Sequence, residues 1–211
     1  MIRPSLTAQA AGIAVTPVFS HIAGYAGILA GISSILYAVA FLILKNTSLA
    51  AELLVVGSLL TAFVSTMLYM QLRQIDGAFA LLALLFGVIG GLGAAIHSMT
   101  DLANAILPPA TAPDQTAPNP VDPRGFLAFG LTGISILIFA WLITQGGPFP
   151  RSVGFVGLIL AASLVALFLG NLLVNRPSSL AILIPGGLAS LLANPAWLIW
   201  LGVLFLHGPQ R

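Results

Sequence analysis

The run FALLALLFGVIGGLGAAIHSM at residues 79–99 decides the fold, because it holds no Asp, Glu, Lys or Arg. A helix that crosses the hydrocarbon of a bilayer needs about 20 mostly apolar residues. The whole chain has the same character, since 59% of its 211 residues are hydrophobic and only 6% are charged. Soluble domains carry roughly 25% charged residues. We therefore predict that most of the protein's surface faces lipid.

Five further stretches share this apolar character, so the sequence predicts an all-α polytopic bundle of about six transmembrane helices in a single domain, 1–211. The predicted spans are 22–44, 53–72, 79–107, 126–144, 153–174 and 180–206. We expect residues 1–20 to form an N-terminal tail or interfacial segment. Residues 108–123 carry six prolines and two aspartates, which is typical of an extended aqueous loop.

The distribution of basic residues predicts the orientation of this multi-pass protein in the inner (plasma) membrane. We call the membrane side of the N-terminus side A and the opposite side side B. Side A holds four basic residues and side B holds three, so the positive-inside rule favours cytoplasmic termini. No basic run or face is present, which argues against a nucleic-acid partner. The absence of cysteine excludes disulfides and thiolate metal sites.

Short matches between the two halves indicate a 3+3 inverted repeat of the kind found in transporters. Gly-Ile-Ser occurs at 31–33 in the first span and again at 133–135 in the fourth. Chance matching among apolar residues is the alternative explanation. Glycines three or four residues apart in the first and third spans predict close helix packing. That packing is either within the chain or at a homodimer interface.

The sixth span contains two candidate helix breaks. Pro185 is followed by Gly186 and Gly187, and Pro195 comes ten residues after Pro185. A proline inside a helix removes one backbone donor and clashes one turn back. We therefore expect a bent or discontinuous helix, which serves either as a structural kink or as a binding break.

Polar residues inside the predicted spans form a candidate ligand-binding set near side B. Three of these polar residues are spaced at i, i+4 and i+7 in the third span, so they share one helix face. Because successive helices cross the membrane in opposite directions, polar residues of other spans reach the same half of the membrane. Together these residues could bind a small polar group or a lipid headgroup. The set is His97, Asp101, Asn104, Asn171, Asn175 and Asn194. Alternatively, these residues lie at the headgroup boundary, with His97 paired to Asp101.

Catalytic motifs are absent, so we expect no enzyme, no catalytic residue and no bound metal. His-Glu-x-x-His, Gly-x-Ser-x-Gly and Walker patterns do not occur. We predict no cofactor, although His97 could ligate the magnesium of a pigment as a single axial ligand.

The first functional hypothesis is a protein that acts inside the bilayer. It would be an accessory subunit of a larger membrane complex or a binder of a lipid or small hydrophobic ligand. A small secondary transporter with a broken sixth helix is an alternative. A membrane-embedded hydrolase that uses His97 and Asp101 is a third.

Several short motifs carry a family resemblance. They are His-Ile-Ala-Gly-Tyr at 21–25, Leu-Tyr at 68–69, Leu-Arg-Gln-Ile-Asp at 72–76, Ala-Leu-Leu-Ala at 80–83 and Asn-Pro at 194–195. Through them the chain resembles a bacterial family of six-helix integral membrane proteins known only as a domain of unknown function. Family members often have Arg where this chain has His21. The resemblance implies a six-helix architecture and carries no known chemistry.

Overall fold

The computed structural model describes residues 15–107, 121–174 and 179–207 of the chain. Within these residues the chain is helical with no strand, which confirms the predicted all-α bundle. Six helices are long and apolar enough to cross a membrane, as expected of a multi-pass integral membrane protein. They are α1 Pro17–Ile43, α2 Thr47–Leu72, α3 Gly77–Ile106, α4 Pro123–Gln145, α5 Arg151–Leu173 and α6 Leu180–His207.

Polar side chains fix where the first three helices begin. The hydroxyl of Thr16 accepts a hydrogen bond from the Phe19 amide, and Pro17 is the first helical residue. Asn46 and Asp76 cap α2 and α3 in the same way. Such caps satisfy amides that have no partner within the helix. Helix α1 therefore begins five residues before its predicted start, and residues 17–20 of the predicted tail are helical. Residues 1–14 of that tail lie outside the described residues.

Each helix packs against the next one along the chain, and α1 packs against α6, so the six helices form a closed ring. Helix α2 also contacts α4 and α6 across the ring. The buried core is apolar, with large side chains such as Leu68, Phe139, Leu201 and Phe205 almost fully enclosed. The inverted repeat and the homodimer remain predictions, because this arrangement of one chain tests neither.

Glycines bring α1 and α6 into backbone contact. A Cβ atom on Gly27 would lie 2.9 Å from the carbonyl oxygen of Leu198, and one on Gly202 would lie 2.6 Å from that of Gly24. The glycines of α3 likewise pack against α2 and α4. These contacts lie within one chain, as the intramolecular interpretation of the glycine spacing predicts.

Helix α6 changes its hydrogen-bond register in the middle. It is α-helical over Leu180–Gly187, π-helical over Leu188–Ala193 and α-helical again over Asn194–His207. The backbone stays helical past Pro185, Gly186, Gly187 and Pro195. The irregularity that the prolines predict therefore takes the form of a π segment, which is a common way for a helix to absorb an insertion or a missing donor.

Candidate functional site

A hydrogen-bonded network joins α1 to the π segment of α6. The Asn194 amide donates to the carbonyl of Ala189, five residues back. In that register the carbonyl of Ser190 would accept from residue 195, but Pro195 has no N–H to donate. The Ser34 hydroxyl donates to the Ser190 carbonyl instead, at 3.0 Å. The Asn194 side-chain amide in turn donates to the Ser34 oxygen at 3.1 Å. We call these three residues, Ser34, Ser190 and Asn194, the Ser34 network.

A second polar group lies toward side B, around His97. Its Nε2 atom is 3.6 Å from a carboxylate oxygen of Asp101, and its Nδ1 atom is 3.6 Å from a carboxylate oxygen of Asp122. These distances are longer than ordinary hydrogen bonds, so the buried Nδ1 atom has no hydrogen-bond partner. The predicted proximity of His97 and Asp101 is confirmed. The side chain of His97 is 25% exposed, and that of Asp101 is 51% exposed.

Asp122 is completely buried, although its sequence context predicted an aqueous loop. Its two carboxylate oxygens accept hydrogen bonds from the amides of Leu127 and Ala128, at 2.8 and 3.1 Å. The backbone of Arg124 and Gly125 turns through the left-handed region, which allows Asp122 to reach these amides. Asp122 therefore caps the beginning of α4. The rest of the predicted loop, residues 108–120, lies outside the described residues.

An aromatic group on α1 completes this region. The ring of Tyr37 stacks on that of Phe41 with a centroid separation of 5.9 Å. Tyr37 lies about 30 Å from the side A end of α1, close to the depth of Asp101 on α3. We call Tyr37, His97, Asp101 and Asp122 the His97 cluster. This cluster combines two carboxylates, one imidazole and one phenol, which come from three different segments.

The remaining residues of the predicted set do not join the His97 cluster. Asn104 is exposed near the end of α3, and Asn171 is half-buried on α5, which packs mainly on α4 and α6. Neither is hydrogen-bonded to His97. Asn194 belongs to the Ser34 network. Asn175 lies outside the described residues. The predicted convergence is therefore divided between two places in the bundle.

The described residues contain no group of three or more His, Cys, Asp or Glu side chains that could hold a metal ion. Both ring nitrogens of His97 face carboxylate oxygens. A pigment magnesium bound to either nitrogen would have to displace one of these neighbours.

The internal cavities are small. The two best-formed cavities in the described part of the bundle measure about 50 Å³ each. Pockets for drug-sized ligands measure roughly 300–1,000 Å³. A lipid or another hydrophobic ligand of that size would therefore not fit into either of these two cavities.

No model of a protein family, no curated protein and no solved structure matches this chain. Its membership of the six-helix bacterial family therefore stays a prediction, and the functional argument rests on the geometry.

Proposed function

We propose that this protein is a non-catalytic integral membrane protein that binds a lipid, and that the His97 cluster holds the lipid's headgroup. The observation that carries the proposal is the half-exposed carboxylate of Asp101 beside His97, near the side B end of α3. Ionisable side chains within a membrane span are costly and are often functional.

The depth of Asp101 fits a headgroup. Helix α3 has 30 residues, which corresponds to a length of about 45 Å at about 1.5 Å per residue. Asp101 lies about 36 Å from the side A end of this helix by the same measure. If a hydrocarbon core of about 30 Å is centred on the helix, Asp101 lies close to the boundary between acyl chains and headgroups on side B.

The lipid-facing side of α3 is apolar at the depth of Asp101. Met99 is 53% exposed and Ile96 is 50% exposed on this side of the helix. Acyl chains could therefore lie along this apolar side, while the headgroup reaches around the end of the helix to the carboxylate. The small volume of the internal cavities also favours an external binding site.

The chemistry of the His97 cluster favours an ammonium group. Its two carboxylates outnumber its single imidazole, so the cluster attracts a cation and repels an anionic phosphate. The stacked rings of Tyr37 and Phe41 offer aromatic faces, to which an ammonium group is attracted. The expected ligand is therefore a lipid with an amine-bearing headgroup, such as phosphatidylethanolamine.

Native mass spectrometry tests this proposal. The protein is released from nanodiscs that contain equal amounts of phosphatidylethanolamine and phosphatidylglycerol, and the bound lipids are counted. We expect the wild type to retain phosphatidylethanolamine preferentially. The Asp101→Asn variant should lose this preference, because the exposed carboxylate is removed.

Glu52→Gln provides the matched control. Glu52 is exposed near the beginning of α2, also on side B, and forms no ion pair with His97. The Glu52→Gln variant removes the same charge from the same side of the membrane and should leave lipid retention unchanged. Equal retention of the two lipids by the wild type would contradict the proposal, and so would equal losses in the two variants.

The same spectra bear on the accessory-subunit hypothesis. Other chains that co-purify in fixed stoichiometry would favour a subunit of a larger complex. Metal analysis of the purified protein tests the hydrolase hypothesis, since His97 and Asp101 would need a metal-activated water.

One observation favours the secondary transporter as a second candidate. The π segment of α6 leaves the carbonyl of Ser190 without a backbone donor, and irregular backbone of this kind forms binding sites in transporters. In proteoliposomes, substrate-dependent flux that Pro195→Ala abolishes would support transport. Unchanged flux in that variant would remove α6 from such a mechanism.

We further propose that the protein lies in the inner (plasma) membrane with both termini in the cytoplasm. The excess of basic residues on side A supports this orientation. Reporter fusions at the C-terminus test it: a fluorescent protein should be active there, and alkaline phosphatase should be inactive.

A further inference from the structure

A small cavity lies between α2, α3, α4 and α6, away from the His97 cluster. It measures about 50 Å³. Gly87 and Ser135 both contribute to its wall, and each lies ten residues from the side A end of its helix. This places the cavity about 15 Å from that end, within the hydrocarbon region of the membrane.

Several side chains in the wall of this cavity are polar, although the cavity lies within the hydrocarbon region. The polar members of the wall are Thr61, Ser65, Thr132, Ser135, Asn194 and Trp197. The hydroxyl of Ser135 donates to the carbonyl of Ala83, and that of Thr61 donates to the carbonyl of Ser58, both at 2.6 Å. A hydroxyl that donates one hydrogen bond keeps lone pairs with which to accept others. The oxygens of these two residues can therefore accept hydrogen bonds from a ligand.

A polar atom without a partner belongs to one of the wall residues but lies away from the cavity. Trp197 contributes to the cavity wall and is 3% exposed, and its indole nitrogen is buried with no hydrogen-bond partner in the described part of the chain. This nitrogen would lie 2.7 Å from a Cβ atom on Gly157 of α5, and no residue of α5 contributes to the wall. The indole therefore does not define the ligand, which is recognised by the hydroxyl groups of α2 and α4.

We propose that this cavity is a binding site for a neutral, water-sized molecule, occupied by one or two water molecules. Each water takes up about 30 Å³ in the liquid and needs two to four polar partners when it is buried. No Asp, Glu, Lys, Arg or His contributes to the wall, so nothing there compensates the charge of an ion. The volume excludes lipids and organic ligands of ordinary size.

Water-edited solid-state NMR of the protein in lipid bilayers tests this site. The experiment transfers magnetisation from mobile water to nearby carbons of the protein. We expect the Cβ signal of Ser135 to build up several-fold faster than that of Ser163. Ser163 is a matched control, because it is buried on α5 and its hydroxyl also donates to a backbone carbonyl, but it does not contribute to the cavity wall.

Two alanine variants of α3 sharpen the test. A Cβ atom on Gly87 would lie 2.7 Å from the hydroxyl of Ser135 and 3.0 Å from that of Ser65, so Gly87→Ala should fill the cavity and abolish the transfer to Ser135. A Cβ atom on Gly77, at the beginning of the same helix, would meet nothing within 4 Å, and Gly77→Ala should preserve the transfer. Equal build-up at Ser135 and Ser163 in the wild type would overturn the proposal without any variant.

Discussion

The Ser34 network and the His97 cluster both place polar groups between apolar helices, but they differ in how those groups are partnered. In the Ser34 network, two hydrogen bonds of 3.0 and 3.1 Å join α1 to α6. In the His97 cluster, the imidazole lies 3.6 Å from each of two carboxylates, and one of these is half-exposed.

This difference separates the structural role of the Ser34 network from the binding role that we propose for the His97 cluster. In the Ser34 network, the Ser34 hydroxyl donates to the Ser190 carbonyl, and the Asn194 side-chain amide donates to the Ser34 oxygen, so these contacts hold α1 to α6. The His97 cluster keeps hydrogen-bonding capacity at Asp101, where an incoming group can meet it. Whether the donors and acceptors of a polar residue already have hydrogen-bond partners is therefore a better guide to function here than the presence of a polar residue in a membrane span.

The largest effect should come from the close contact of α1 and α6, which holds the Ser34 network together. A Cβ atom on Gly202 would lie 2.6 Å from the Gly24 carbonyl oxygen and 2.8 Å from the Ile28 amide, so the backbones would have to separate. We expect Gly202→Ala to destabilise the protein by about 2–3 kcal/mol. Unfolding in mixed detergent micelles measures this change.

Gly187→Ala is the control for that prediction, since a Cβ atom at this position of the same helix would meet nothing within 4 Å. Its stability should remain close to that of the wild type. Equal losses in the two variants would mean that the α1–α6 contact is less tight than described.

The second-largest effect on stability should come from Asp122, one of the two carboxylates of the His97 cluster. Asp122→Ala removes the acceptor of the Leu127 and Ala128 amides, and loss of a helix cap typically costs about 0.5–2 kcal/mol. We therefore expect Asp122→Ala to lower the free energy of unfolding by about 1–2 kcal/mol. An unchanged unfolding curve would show that Asp122 does not cap α4.

A smaller effect is expected within the Ser34 network. Ser34→Ala removes both of its hydrogen bonds and Asn194→Ala removes one of them, and such bonds inside membranes average about 0.6 kcal/mol each. A double-mutant cycle should give a coupling of about that size between the two positions. Additive effects would show that the Asn194 amide and the Ser34 hydroxyl do not interact.

The smallest effect on stability is expected at Asp101. Its side chain is half-exposed, and exposed ion pairs contribute only about 0–1 kcal/mol. Asp101→Asn should therefore unfold almost like the wild type in the same micelle assay. A loss as large as that of Asp122→Ala would mean that Asp101 is mainly structural.

The helices could be predicted from the sequence because the surrounding lipid, and not the tertiary contacts, requires about 20 mostly apolar residues in each span. The C-terminal ends of all six helices were predicted to within one residue, as for α2 at Leu72 and α3 at Ile106. The starts were less accurate, because capping side chains such as Thr16 begin a helix before its apolar stretch begins.

The two polar groups could be predicted only in part. Helical periodicity placed His97 and Asp101 together. The directions of the helices brought Asn194 toward the same half of the membrane, but they do not say which helices are neighbours, and Asn194 is hydrogen-bonded to Ser34 instead. The burial of Asp122 was missed, although an Asp directly before a Pro and an apolar run is a typical helix start. Ser34 gave no signal, because its role depends on the register of α6, which only the folded chain determines.

One measurement tests the separation of the two polar groups most directly: lipid retention and unfolding, measured side by side for Asp101→Asn and Ser34→Ala. The account predicts that Asp101→Asn loses the preference for phosphatidylethanolamine while its stability is nearly unchanged. Ser34→Ala should keep that preference while it loses stability. The reverse pattern, with lipid preference lost only in Ser34→Ala, would contradict the account.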